Sequence, residues 1–289
     1  MKDIKKILKK ISKLKILVVG DIMLDEYIWG DIKRISQEAP IPIISVNSKS
    51  YNIGGAGNVA SNLVGLGAKV SIAGIIGQDH ESEVVNNIFK KQNIDYSMVF
   101  SLPKRQTTLK SRYLSKSQQI FRVDSEISSP LLIEEKTKLF EKIKSNINKY
   151  NAIIIQSYDK GLIDLWLLKN LLKLSKEKNI PIYVDPKRKN FFDFLGVKFF
   201  KPNVKEISEA LKTKVDKFNI EKIGTELRKK INCSVLLITQ GPDGMSLFDE
   251  NGFHQIPTKA KSVHDVSGAG DTVISVFVVS NLCGADNKL

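Results

Sequence analysis

The chain of 289 residues has two cysteines, three histidines and two tryptophans. Cys233 and Cys283 are too few for a disulfide framework, and no spacing among Cys and His matches a metal-ligand pattern. A reducing compartment, the cytoplasm, is the expected location. Long apolar runs are missing as well. None approaches the ~20 residues that span a bilayer, and the N-terminus carries no signal-peptide pattern. Residues 2–15 are instead basic, with Ile4, Ile7, Leu8, Ile11 and Leu14 at helical spacing. They predict an amphipathic helix packed on the body, with a membrane-surface role as the alternative. No internal repeat or low-complexity linker divides the chain, so a single domain over 1–289 is expected.

Arginine is also scarce, although the formal net charge is +14. Lysine carries the charge and is spread along the chain, beside abundant Ile and Asn. No helix-turn-helix, zinc or RNA-binding signature accompanies it, so no nucleic-acid partner is expected. An anionic small-molecule substrate and general solubility account for the charge. The six arginines are Arg34, Arg105, Arg112, Arg122, Arg188 and Arg228, and three of them fall within 105–122. Where lysine is the default cation, an arginine suggests planar, bidentate binding of phosphate or carboxylate. Chance clustering is the alternative.

The stretch His264-Asp265-Val266-Ser267-Gly268-Ala269-Gly270-Asp271-Thr272 is the best candidate for chemistry. Small residues precede an acid, and the acid opens an apolar run over 273–279 that reads as a buried helix. Gly268, Ala269 and Gly270 would lie at its N-terminus, where backbone N–H groups lack acceptors and the helix dipole is positive. Small residues there let a phosphate approach the backbone. Asp271 would stand beside this anion hole as a base for an attacking hydroxyl, which is a phosphoryl-transfer arrangement. The alternative is an ordinary glycine turn with a first-turn acid.

Around that stretch the chain alternates. Residues 15–21 read as a buried parallel strand ending in Gly20-Asp21. Ligands in open α/β sheets bind outside the carboxyl ends of strands, so Asp21 and Asp25 are candidates, with Asp25 preferred for sugar hydroxyls. Residues 27–52 and 98–124 read as β excursions that pair into a lid and exclude water from a transferring group. Pro40 and Pro42 place the strand over 41–46 at a sheet edge. Gly54-Gly55-Ala56-Gly57-Asn58 reads as a glycine-rich loop entering a helix, with Asn58 free to bond a hydroxyl. The loose dinucleotide fingerprint there lacks its strand context.

Later strands end in polar groups: Asp185-Pro186-Lys187, then Asn203-Val204-Lys205-Glu206, then Thr239-Gln240-Gly241-Pro242-Asp243-Gly244. Glu206 can hold a magnesium-bound water, the alternative being an ordinary first-turn acid. Gly241 and Gly244 allow a nucleotide to approach the backbone, or simply make a tight turn. The pattern predicts an α/β fold with a mostly parallel sheet covered by helices on both faces.

In this order the motifs resemble the ribokinase-like (PfkB) carbohydrate kinases. Gly54 to Ala60 is similar to that family's N-terminal signature and Asp265 to Asp271 to its C-terminal one. The resemblance covers essentially the whole chain. It implies a three-layer sandwich with a small β lid, and ATP and Mg2+ as cofactors. It further implies that Asp271 is the catalytic base and that Gly268, Ala269 and Gly270 form the anion hole. Asp25, Gly54, Gly55 and Asn58 would contact the sugar. Asn203, Val204, Lys205 and Glu206 would lie near the nucleotide phosphates and magnesium, and Thr239, Gly241 and Gly244 on the nucleotide loop.

A narrower resemblance is to the D-glycero-β-D-manno-heptose 7-phosphate kinases of ADP-heptose and lipopolysaccharide synthesis. It rests on Gly20 to Asp25, Arg34 to Pro42, Lys110-x-Arg112, and Gln118-Gln119-x-x-Arg122-x-Asp124. It implies phosphorylation at O1, with Lys110, Arg112 and Arg122 at the 7-phosphate and Asp185 on the substrate side. Gln37 and Ser157 depart from that pattern, where proline and aspartate are usual. The chain also stops soon after the helix opened by Asp271, so the C-terminal part of the family domain is expected to be missing. Another kinase of the family, or a sugar-phosphate-binding chain without turnover, are the rival readings. Pairing of two copies through the lid is expected.

Overall fold

The computed structural model describes residues 9–116, 118–258 and 268–287. Ile4, Ile7, Leu8 and the motif residues His264 to Ser267 lie outside the described residues. Among the described residues no helix is long and apolar enough to cross a membrane.

The nine strands of the large sheet run β13-β12-β11-β10-β9-β8-β1-β4-β5. In chain order they are β1 (Lys15–Gly20), β4 (Lys69–Gly77), β5 (Asp95–Leu102), β8 (Ala152–Gln156), β9 (Ile182–Asp185), β10 (Phe199–Phe200), β11 (Val235–Thr239), β12 (Met245–Asp249) and β13 (Gly252–Ile256). From β5 to β11 every pairing is parallel, and β12 and β13 close one edge as an antiparallel hairpin.

The parallel strands are short, β-branched and buried on both faces, as helices on both sides require. In β1, Leu17 and Val19 point into one core and Ile16 and Val18 into the other. The first core is covered by α3 (Ile133–Asn146), α4 (Leu165–Lys178), α5 (Val204–Leu211) and α6 (Ile220–Ile231). The second is covered by α1 (Ala56–Gly65), α2 (His80–Lys91) and α7 (Ala269–Leu282). Each fully buried Leu or Ile contributes ~1.5–3 kcal/mol, so the two cores carry most of the driving force.

A four-stranded sheet of order β3-β2-β6-β7 forms the lid, from β2 (Ile22–Ile35), β3 (Pro42–Gly55), β6 (Thr108–Ser115) and β7 (Gln118–Ser125). β3, which begins at Pro42, is an edge strand, where a proline costs no ladder bond. The lid differs from the sequence expectation at one boundary. Residues 98–102 belong to β5 in the large sheet, because Met98 is buried there opposite Ala73. The glycine-rich loop expected at 54–58 is also shorter than read: Gly54 and Gly55 end β3, and α1 starts at once. Gly55 makes that join with φ 58°, in the left-handed region, and any Cβ there would meet the carbonyl of Asp21.

Candidate active site

Strand order changes direction at β1 and β8, which is where ligands of open α/β sheets bind. The carboxyl ends of β8 to β11, on one side of that switch, enclose with the start of α7 a cleft of about 200 Å³. It is lined by Asp185, Asn203, Glu206, Thr239, Gly268, Gly270 and Asp271, together with Tyr158, Lys187 and Lys201. Seven of these ten residues were candidates from sequence.

Helix α7 begins at Ala269 with Gly268 as its N-cap at φ 77°. The first closing bond runs from Thr272 N–H to Gly268 O at 2.9 Å, so Ala269, Gly270 and Asp271 have no intrahelical acceptor. Their N–H groups and the helix dipole make this end attractive to an anion. Asp271 is 4% exposed. Its Oδ2 accepts from Asn58 Nδ2 at 2.7 Å, and its Oδ1 from Gln156 Nε2 at 3.0 Å and Tyr158 O–H at 3.1 Å. Burial pushes the Asp271 carboxyl up to about 6, with the Asn58 hydrogen bond pulling down and Asp185 adding to the rise. A carboxylate of that basicity, beside an anion hole, can take a proton from a hydroxyl near neutral pH. Burial drives the Tyr158 phenol far above its ordinary value, so it remains a donor.

Two lysines face the same cleft. Lys201 Nζ lies 2.9 Å from Asp185 Oδ2, and both residues are buried. Lys187 pairs with Glu206 Oε1 and stands 5.2 Å over the Tyr158 ring. Burial pulls the Lys187 ammonium down, but the Glu206 and Asp185 carboxylates outweigh it and hold the pKa above its ordinary value. Lysine cations here supply charge that suits phosphate.

Glu206 is a first-turn acid that also reaches the cleft. It lines the cleft, and with Asn203 it makes a reciprocal capping box for α5, at 2.8 Å in each direction. Among the described residues no group of three or more His, Cys, Asp or Glu side chains could hold a metal ion.

The lid gathers the sugar-side candidates. Asp25 of β2 lies in register with Lys110 of β6, and Tyr27 with Arg112. Arg112 Nη1 is 2.5 Å from Asp25 Oδ1. A side chain at Gly54 would strike the Asp25 carboxylate. Lys110 pairs with Asp124 at 3.2 Å and Glu126 at 3.6 Å, and Arg122 with Asp124 at 2.8 Å.

Other expectations do not hold as read. Arg105 is bound to the carbonyls of Ile127, Ser129 and Lys160, so only two of the three clustered arginines face the lid's acids. Asp21 accepts the backbone N–H groups of Tyr158 and Lys160 and so shapes a loop. Asp185 is an exception: it lines the cleft, where it is tied to Lys201 and Gln156. Lys205 is exposed and pairs with Glu209, and neither it nor Val204 lines the cleft. Gly241 and Gly244, at φ 59° and 88°, form the turn between β11 and β12 that follows the cleft residue Thr239.

Gln156, Tyr158, Lys187 and Lys201 were missed as site residues. The one available signal was a polar residue closing an apolar run, as Gln156 closes β8.

A second, apolar cleft of about 260 Å³ adjoins α7 and is lined by Leu237, Met245, Ile256, Thr272, Val273, Val276 and Phe277 among others.

Residues 13–288 match the pfkB family carbohydrate kinases. The chain is 36% identical over 285 residues to the bifunctional protein HldE of Geobacter metallireducens, covering 98% of this chain and 58% of that protein. It is 38% identical over 269 residues to the bifunctional protein HldE of Helicobacter pylori strain Shi470, covering 93% and 58%. The chain thus spans 58% of the length of these curated relatives. Among solved structures it resembles Arabidopsis thaliana ribokinase complexed with ribose and ATP, with TM-score 0.73, 17% identity and coverage of 95% of this chain and 88% of that one. It resembles Escherichia coli phosphofructokinase-2 in complex with fructose-6-phosphate, with TM-score 0.77, 18% identity and coverage of 94% and 88%. At those identities the likeness concerns the fold, which is ribokinase-like. With nearly its whole length matched to the family, and with curated relatives at 36% and 38% identity, the chain belongs to the pfkB family of carbohydrate kinases.

Proposed function

We propose that this chain transfers the γ-phosphoryl group of ATP to O1 of D-glycero-β-D-manno-heptose 7-phosphate, giving the 1,7-bisphosphate used in ADP-heptose and lipopolysaccharide core synthesis in the cytoplasm. The observation that carries the reading is the pairing of a base at an anion hole with a lid cation beside Asp25. The sugar lies under the lid, its hydroxyls on Asp25, Asn58 and the backbone at Gly54 and Gly55. Lys110 and Arg112, with Arg122 at the rim, meet the phosphate the substrate already bears. Asp271 takes the O1 proton. The N–H groups following Gly268 receive the transferring phosphoryl group, and Lys187 and Lys201 offset its charge.

Thr239 and the adjoining turn approach the nucleotide, and the apolar cleft beside α7 suits an adenine ring. Magnesium, when bound with ATP, neutralises phosphate charge, and Glu206 is the carboxylate that would accept from one of its waters. Exposed apolar side chains on the lid, Trp29, Phe121 and Val123, support pairing of two copies through it.

A coupled ADP-release assay over heptose 7-phosphate, fructose 6-phosphate and ribose tests the reading. Heptose 7-phosphate is expected to lead in kcat/KM. A lead for an unphosphorylated sugar would remove the lid cations from substrate recognition. The variant Lys110→Ala/Arg112→Ala should raise KM for the phosphorylated sugar roughly 10–100-fold, as two charge-assisted contacts are lost. An unchanged KM would exclude both residues from the phosphate site.

A further inference from the structure

We propose that Gln156 is the positioning residue of phosphoryl transfer, an assignment that rests on the kinase reading above: its amide bridges the two carboxylates that flank the anion hole and presents Asp271 Oδ2, rather than Oδ1, to the acceptor hydroxyl. Gln156 ends β8 and is in register with Gly20 of β1 on one side and Asp185 of β9 on the other. It is fully buried. Its Nε2 lies 3.0 Å from Asp271 Oδ1 and 3.1 Å from Asp185 Oδ2. An amide nitrogen has two protons to donate, and each is directed at a carboxylate oxygen. The reversed amide would set a carbonyl oxygen against two carboxylates, so the electrostatics fix which end faces them.

The consequence falls on Asp271. Oδ1 accepts from both Gln156 and Tyr158 O–H, which fills its two lone-pair sites. Among the described residues Oδ2 accepts only from Asn58, which leaves one site open to the acceptor. The two oxygens also face differently. A Cβ at Gly268 would lie 3.8 Å from Asp271 Oδ2, so Oδ2 looks toward the anion hole. A Cβ at Gly270 would lie 3.1 Å from Lys201 Nζ and 3.9 Å from Asp185 Oδ2. The base therefore stands against one glycine of the hole and the Asp185–Lys201 pair against the other, and Gln156 links them.

In the step this serves, the acceptor O–H bond breaks and its proton passes to Oδ2. The hydroxyl oxygen bonds to the γ-phosphorus. The bond from that phosphorus to the β–γ bridging oxygen breaks, and its electron pair leaves on ADP. The charged and titratable groups facing Asp271 are Asp185, Lys201, Tyr158 and, at longer range, Lys187. None of these four can replace a neutral donor that reaches both carboxylates.

Gln156→Met keeps the volume and removes both donors. It is expected to lower kcat at least about tenfold, while KM for the sugar phosphate and for ATP stays within about twofold. The acid limb of the kcat profile is expected to move to higher pH, because a hydrogen bond favouring the ionised base is lost. A carbon-13 titration of the Asp271 carboxyl, assigned by its loss in Asp271→Asn, should show the same upward shift without any need for turnover. Wild-type protein inert toward every sugar would overturn the kinase reading, while the carboxyl titration would still decide the Gln156 bridge. An unmoved carboxyl titration, or a raised KM with kcat intact, overturns the inference. Should Gln156→Met not fold by circular dichroism, Gln156→Asn, one methylene too short to reach both carboxylates, is expected to give the same upward shift.

Discussion

Asp271→Asn is expected to lower kcat by about 10²–10⁴-fold, the usual contribution of a positioned general base, and to leave KM for the sugar near its wild-type value. The reason is local. The asparagine amide has the shape of the carboxylate and can still meet some of its three donors, but it cannot accept a proton. The wild-type rate should fall on the acid side as pH drops through about 6, where burial has placed the Asp271 carboxyl. The stability consequence has the opposite sense. The folded pKa lies above the unfolded one, so the stability it contributes is complete below the ordinary value of 3.8 and lost as pH rises through about 6. At pH 7 the buried charge is therefore a cost to folding, and Asp271→Asn should melt no lower than wild type apart from any amide set against a donor. Turnover near that of wild type would remove Asp271 from the chemistry, and a collapsed melting temperature would mean that lost activity reports unfolding.

Lys201→Met is expected to produce the largest loss of stability, about 3–5 kcal/mol. Lys201 is 3% exposed and Asp185 4% exposed, and their atoms lie 2.9 Å apart. Removing the ammonium leaves a carboxylate inside the protein with, among the described residues, Gln156 Nε2 as its one remaining hydrogen-bond donor. For a chain of this size that is a fall in melting temperature of roughly 5–15 °C. Asp185→Asn added to Lys201→Met should recover most of the loss, because the uncompensated charge is gone. A shift under about 2 °C for the single variant would show that water reaches the pair, and would weaken the low-dielectric account of the cleft.

Much of this architecture was legible along the chain because it depends on local pattern. The apolar runs of β1 and β8 and the helical periodicity of α3, α4 and α6 report burial directly. Gly268 and Asp271 were legible because a helix start needs few residues to specify it. The scarcity of arginine singled out Arg112, and the Lys110-x-Arg112 motif came from the narrower resemblance. What misled was equally physical. Arg105 looked like part of a phosphate cluster, yet a guanidinium satisfies carbonyls as well as phosphates, and composition does not distinguish the two. Met98 looked like lid because residues 98–124 read as one β excursion; its partner, Ala73, is distant in sequence.

The sequence alone determined the α/β class, the β lid and the helix start at Gly268 with its first-turn acid, because each is written in neighbouring residues through periodicity, turn chemistry and charge type. Only the tertiary structure decided that Asp185 belongs to Lys201 and Gln156, that Tyr158 donates to Asp271, and that Lys187 and Lys201 face the cleft. Gln156 and Asp271 are 115 positions apart and meet at 3.0 Å. Parallel strands deliver their carboxyl ends to one edge of the sheet whatever their separation along the chain, and no local pattern encodes which side chains then touch.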